Sequence, residues 1–464
     1  MAEESTTFRD RAPQPAPPRP YHFPKIRRVT LENGLRVLIA QSASAPLVAA
    51  RMVVHSGGDR DPAARFGLAA LAGGLLDEGA GDRDTIQIAE AIGLLGGSLG
   101  SGADWDASYV YLDLLSSKLE AGMDVFADVV LRPRFEEGDL ERLRNERLTE
   151  ILQGRDEAPV IASNGFARAV YGGTPYGNPL IGTEDSVAAI TRDDVLAFYR
   201  RHYVPNNASL VIAGDLDADR GEEMARRLFG KWKRGEDVPA EAVSPRRADQ
   251  SQIYLIDRPE SVQSEIRIGH PGVPRNCEDY FPLTVMNAIL GGVFTSRLNL
   301  TLREKHGYTY GIRSAFAMRR HAGPFLVSTA VRNDVTAAAA KEILREVAEL
   351  RDGEVRDEEL SEAKNYLMGV FPATVQTPAD VASRIQEMEL YGLPHDYFDH
   401  YRRRLGDVTK DEIRRVAEKY LDPSRAAVVV VGKAAEIQPS LNELGRPLGL
   451  YDIDGKPKRL EARG

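Results

Sequence analysis

The sequence predicts an α+β protein made of two homologous domains, each a mainly antiparallel β-sheet with helices packed on it. Three recurrences carry that reading. His55 closes the apolar strand of RMVVHSGGDRD and His270 that of RIGHPGVPRN, 270 − 55 = 215 residues on. Phe66 opens FGLAALAGGLL and Phe281 opens FPLTVMNAILGG, 281 − 66 = 215 apart. Gly214 ends the strand in YVPNNASLVIAGDLD and Gly432 the strand in YLDPSRAAVVVVGKAA, 432 − 214 = 218 apart.

Each half has the same order of elements. Strands come first, LRVLIAQ and LVAARMVVHSG against QIYLIDRP and SEIRIGHPG. A helix follows in each, then SYVYLDLL and GPFLVSTAV, whose β-branched and aromatic residues alternate as in a strand with one face covered. Amphipathic helices come next: LEAGMDVFADVVL and EEGDLERLRNERLTEILQ against AAAAKEILREVAEL and VRDEELSEAKNYLMGVF. A last apolar strand closes each half. The expected division is a Pro-rich disordered arm over 1–24, an N-terminal domain over 25–232 and a linker over 233–252. A C-terminal domain over 253–452 and a tail over 453–464 complete it.

Bulk properties narrow the function. The 464 residues hold 60 Lys and Arg against 69 Asp and Glu, a net charge of −9, so nothing favours nucleic acid as a partner. One cysteine, Cys277, permits no internal disulfide and no cysteine-based zinc site. There is no run of ~18 apolar residues to span a membrane. The N-terminus lacks the apolar core of a signal peptide. The expected location is cytoplasmic, or periplasmic if a presequence has been removed.

The helix FGLAALAGGLLDEGAGD poses a question. It holds Ala69, Ala70, Ala72, Gly73 and Gly74, and each interior glycine costs ~1 kcal/mol against alanine. Something there either requires small side chains or has stopped requiring large ones.

The segments VTLENGLRVLIA, AEAIGLLGGSLGS, RPRFEEGDLERLRNERLTEI, YGGTPYGNPLIGTEDSV and AILGGVFTSRLNLTLREKHGYTYGIRSAF resemble the M16 metallopeptidases. These are the inverzincins, here of the short M16B type that includes mitochondrial processing peptidase. The resemblance runs from about residue 25 to 450 and implies the processing-peptidase-like metallohydrolase fold. The family places H-x-x-E-H on a helix, where two histidines at i and i+4 reach one zinc ion and the glutamate takes a proton from its water. After the lead Gly67, Leu68, Ala69, those positions fall on Ala70, Gly73 and Gly74, with no imidazole and no carboxylate. The family's distal ligand position falls on Glu150, but one carboxylate cannot hold zinc, and it reads as a helix-surface acid or a hydrogen-bond partner.

Elsewhere the nearest histidine pair, His395 and His400, is five apart and reads as structural. No metal and no cofactor is expected in this chain. In the second half, LREKHGYTYG supplies Arg303 and Tyr310, seven apart as in the family's pair that contacts substrate. An arginine can bond a peptide carbonyl, and a tyrosine hydroxyl can donate to a developing oxyanion. Tyr308 competes for that second role, and both residues could instead be structural.

The resemblance implies a split enzyme. This chain would be the non-zinc-binding subunit of a heterodimeric M16 metalloendopeptidase, inactive alone. It would lend Arg303 and Tyr310 to an H-x-x-E-H-containing partner that holds zinc, around a peptide or unfolded protein substrate. The alternative is a non-catalytic scaffold with the same fold.

Overall fold

The computed structural model describes residues 21–239, 243, 245 and 250–458. In the first half, strands β1 (Ile26–Thr30), β2 (Arg36–Gln41), β3 (Leu47–Val54), β4 (Ser98–Ala103), β5 (Ser108–Leu115) and β6 (Ala208–Gly214) form one sheet. Its order is β1-β2-β6-β3-β5-β4. Only β2 and β6 run parallel; the other neighbours are antiparallel. The helices used below are α1 (Leu68–Gly74), α2 (Leu119–Leu131), α3 (Glu137–Gly154) and α4 (Ala158–Tyr171).

The second half repeats this plan. Strands β7 (Gln252–Asp257), β8 (Gln263–Pro271), β9 (Ile312–Phe316), β10 (Pro324–Arg332), β11 (Ala427–Gly432) and β12 (Leu448–Tyr451) lie in the order β12-β7-β11-β8-β10-β9. The corresponding helices are α5 (Tyr280–Asn287), α6 (Thr336–Asp352) and α7 (Asp357–Val370), followed by α8 (Pro378–Tyr391). Five of the six strands match in order. The sixth, at one edge, differs: β1 precedes β2 in the chain and is antiparallel to it, whereas β12 is the last strand of its half and is parallel to β7. The molecule is thus two mainly antiparallel sheet–helix domains.

The halves exchange a helix. Helix α4 lies on β8 and β11 of the second sheet, and α8 lies on β3 and β6 of the first. Phe166 and Val170 pack with Ile256, Val429 and Val431; Val381, Ala382 and Ile385 join the cluster containing Ala49, Val211 and Ala213. The central strands are therefore covered on both faces. This is why β6 and β11 read as near-continuous apolar runs, fully buried, while β5 alternates.

Buried polar groups close the seam between the halves. Asp106 accepts from Tyr176 Oη at 2.7 Å, from the Arg320 backbone N–H at 2.8 Å and from Tyr391 Oη at 3.0 Å. Arg320 also pairs with Asp59 at 3.3 Å.

Three expected boundaries look different in the structure. Of the arm, residues 1–20 lie outside the described residues, but 21–24 are held: Phe23 is buried 5.3 Å from Phe398, and Tyr21 meets Phe371 edge-on at 5.6 Å. Apolar rings in the proline-rich stretch anchor it. Much of the linker lies outside the described residues, and its last residue, Gln252, already pairs in β7. Of the tail, residues 459–464 are not described, while the segment before them turns back: Lys458 donates its N–H to Leu450 O at 2.8 Å, and Asp454 pairs with Arg155 at 2.9 Å.

Candidate functional site

Helix α1 starts after Gly67, whose φ of 95° suits glycine. Asp61 caps it, its carboxylate accepting from the N–H groups of Gly67 at 2.7 Å and Ala69 at 2.8 Å. Burial outweighs those bonds and pushes the Asp61 carboxyl up to about 7. Ala70 and Gly73 are buried. A Cβ at Gly73 would stand 2.6 Å from the Gly102 carbonyl carbon and 2.8 Å from its oxygen, so the backbone of β4 fills the space where a side chain would begin. Ser101 on β4 donates its hydroxyl between Gly73 O at 2.6 Å and Asp77 Oδ1 at 2.7 Å, tying helix to strand. At Gly74 the nearest obstacle is the movable end of Leu143, 3.2 Å away.

Glu150 projects from α3, exposed and paired with Arg147 at 2.7 Å. It lines a cleft of about 390 Å³ between α3, α4, the 177–185 loop and residues 453–456. These residues do not fit zinc: the helix positions carry no donor and the one carboxylate is engaged by an arginine. Among the described residues, no group of three or more His, Cys, Asp or Glu is placed to hold a metal. His400 pairs with Asp396 at 3.1 Å.

Arg303 and Tyr310 lie close along the chain on the second half. Arg303 is on a π-helical turn, Asn299–Lys305, and Tyr310 on the loop leading into β9. Its guanidinium stands 4.6 Å from the Phe294 ring, with Glu304 3.4 Å from Nε. Tyr310 is 94% exposed. Tyr308, by contrast, is partly buried and stacks on His306 at 4.9 Å. Of the two tyrosines, Tyr310 is the one free to meet another molecule.

Two residues that the sequence reading passed over hold this loop. Asn299 donates Nδ2 to Ile312 O at 2.9 Å, with Ser296 Oγ at 3.1 Å and Val293 O at 3.2 Å. Arg297 grips Glu359 of α7 with two hydrogen bonds of 2.9 Å and Glu354 O with a third of 2.9 Å. The asparagine between Leu298 and Leu300 was the available signal.

Comparison with known families matches residues 36–184 to the insulinase (peptidase family M16) model and residues 189–367 to the M16 inactive-domain model. The chain belongs to the M16 peptidase family. Among its M16 relatives, an uncharacterized zinc protease of Streptomyces coelicolor is 27% identical over 420 residues, 89% of this chain and 91% of that one. One of Mycobacterium tuberculosis is 29% identical over 423 residues, covering 90% and 96%. The M16 inactive domain from Pseudomonas fluorescens superposes with a TM-score of 0.83 at 27% identity over 88% of this chain and 98% of that one. A protease from Helicobacter pylori shares the fold at a TM-score of 0.84 and 19% identity, over 89% and 100%.

Proposed function

We propose that this chain is the zinc-free subunit of a two-chain M16 metalloendopeptidase. It would present Arg303 and Tyr310 to a peptide held against a partner subunit that carries H-x-x-E-H and zinc. One observation carries this reading: Tyr310 stands almost wholly exposed, seven residues after a half-buried Arg303, in a chain whose own α1 has no metal donors. An exposed tyrosine gains little for a fold, whereas its hydroxyl can donate to a carbonyl oxygen as that oxygen takes up charge. Arg303 can hold a neighbouring peptide carbonyl by a charge-assisted hydrogen bond. The relatives' designation as zinc proteases fits a peptidase setting.

The test is co-expression with short M16 chains that contain H-x-x-E-H, followed by sedimentation and a peptidase assay. The expected result is a heterodimer with chelator-sensitive activity, and neither zinc uptake nor cleavage by this chain alone. Stoichiometric zinc and activity in the isolated chain would overturn the reading. A stable heterodimer indifferent to Arg303 and Tyr310 would favour the scaffold role.

A further inference from the structure

The internal repeat places a second cleft where the first half would carry its metal motif. With Phe66 matched to Phe281, Gly73 corresponds to 73 + 215 = 288, which is Ala288. Ala288 opens a π-helical turn that continues α5, and with α5, α7 and the end of β9 it borders a cleft of about 340 Å³. In the first half Gly73 packs directly on the backbone of β4. In the second half Gly291 packs in the same way on Ser314 of β9, and the cleft lies beside that contact, its size within the ~300–1,000 Å³ of small-molecule sites.

The walls are mostly apolar, from Leu283, Ala288, Val293, Phe316, Met318 and Leu367, and they include Arg275. Arg275 is 4% exposed, and its guanidinium is fixed from several sides. Nε donates to Glu387 Oε1 at 2.7 Å, Nη1 donates to Tyr397 Oη at 3.0 Å, and the Tyr280 ring lies 3.8 Å from Cζ. Nη2 is buried and has no hydrogen-bond partner among the described residues. Leaving such donors unmade is costly, most of all on a charged group.

The charges are also unequal. Glu387 is shared, its second oxygen accepting from Arg384 Nη1 at 2.9 Å, so two guanidinium groups face one carboxylate. A water molecule would satisfy the N–H groups but leave the positive charge. An anion would satisfy both. We propose that this cleft binds a carboxylate carried on an apolar body, with the carboxylate on Arg275 and the body against the walls named above. This goes beyond the peptidase reading and does not rest on it.

The full chain is titrated by calorimetry with octanoate and with N-acetyl-Leu-Phe, then with octanol and N-acetyl-Leu-Phe amide as uncharged counterparts. At least one acid should saturate at one per chain, and its counterpart should bind at least ten-fold more weakly. Which acid binds tells a fatty acid from a peptide C-terminus. Hydrogen exchange should slow on binding in residues 280–293 and 357–370, a readout that needs no variant. Ala288→Leu, which fills the cleft, and Arg275→Lys, which removes Nη2, should each weaken binding at least ten-fold if folded. Equal affinity for acid and counterpart, no binding of either acid at 10 mM, or protection elsewhere would overturn the proposal. So would unchanged binding in a folded Ala288→Leu variant.

Discussion

Arg297 and Glu359 face each other as two parallel forks, Nε to Oε1 and Nη2 to Oε2, both at 2.9 Å. This pair joins the start of the Arg303 segment to the first turn of α7, where Glu359 also accepts the Arg356 backbone N–H at 3.0 Å. Burial pushes the Glu359 carboxyl up, but the bonds from Arg297 and Arg356 win and hold it at about 2.

That shift predicts a pH dependence. A carboxyl whose value drops on folding from its ordinary 4.5 to about 2 contributes its full stabilisation above 4.5 and loses it as pH falls toward 2. Glu359→Gln should therefore cost on the order of 2–3 kcal/mol at neutral pH, since it leaves Arg297 half-buried without its counter-charge. The difference from wild type should shrink progressively between pH 4.5 and 2. Urea denaturation across that range reads both effects, and a constant gap would refute them.

The close approach of α1 to β4 predicts opposite behaviour at adjacent glycines. Gly73→Ala gains up to ~1 kcal/mol of helix propensity but drives a methyl into backbone, where overpacking costs ~1–3 kcal/mol. It should destabilise. Gly74→Ala meets only the end of Leu143 and should be neutral or slightly stabilising. Equal effects in chemical denaturation would mean that the helix stands further from the strand. The same geometry says that Gly73→Glu cannot simply be restored, because β4 occupies the carboxylate's path.

Asp106 is the shared acceptor of two tyrosines and a backbone N–H across the seam. Asp106→Ala strands buried donors from both halves and should cost on the order of 3 kcal/mol. Faster hydrogen exchange should appear in the exchanged helices α4 and α8 before the outer strands. Asp106→Asn keeps one acceptor oxygen and should cost less.

The repeat was legible because apolar strands buried on both faces, such as LVIA and VVVV, recur at a steady offset. The helix exchange was not. The apolar stripe of α4 has the same 3.6-residue period whichever sheet it covers, and only packing reveals that Phe166 meets Ile256. β12 escaped because LGLY is too short to signal a strand without its neighbour. At the site, sequence showed that Ala70, Gly73 and Gly74 carry no donors. It did not show what had taken the space, since the occupant at Gly73 is backbone from residue 102. Arg303 and Tyr310 were named only through the family motif; Asn299 and Arg297, which hold their loop, act through bonds to residues as distant as Glu359.

The last prediction separates the two tyrosines of LREKHGYTYG. Tyr310 is 94% exposed, so Tyr310→Phe should leave thermal stability and subunit pairing unchanged. If its hydroxyl donates to the oxyanion, turnover of the reconstituted heterodimer should fall by roughly 10²-fold, with KM little changed, because that bond strengthens mainly in the transition state. Arg303→Ala should also raise KM, since a carbonyl contact already exists in the bound substrate. Tyr308 stacks on His306 inside the fold, so Tyr308→Phe, which keeps the ring, should do little to kcat. Steady-state kinetics on the three variants, with sedimentation to check pairing, decides the matter. Wild-type turnover in Tyr310→Phe would remove this chain from the chemistry and leave it a scaffold.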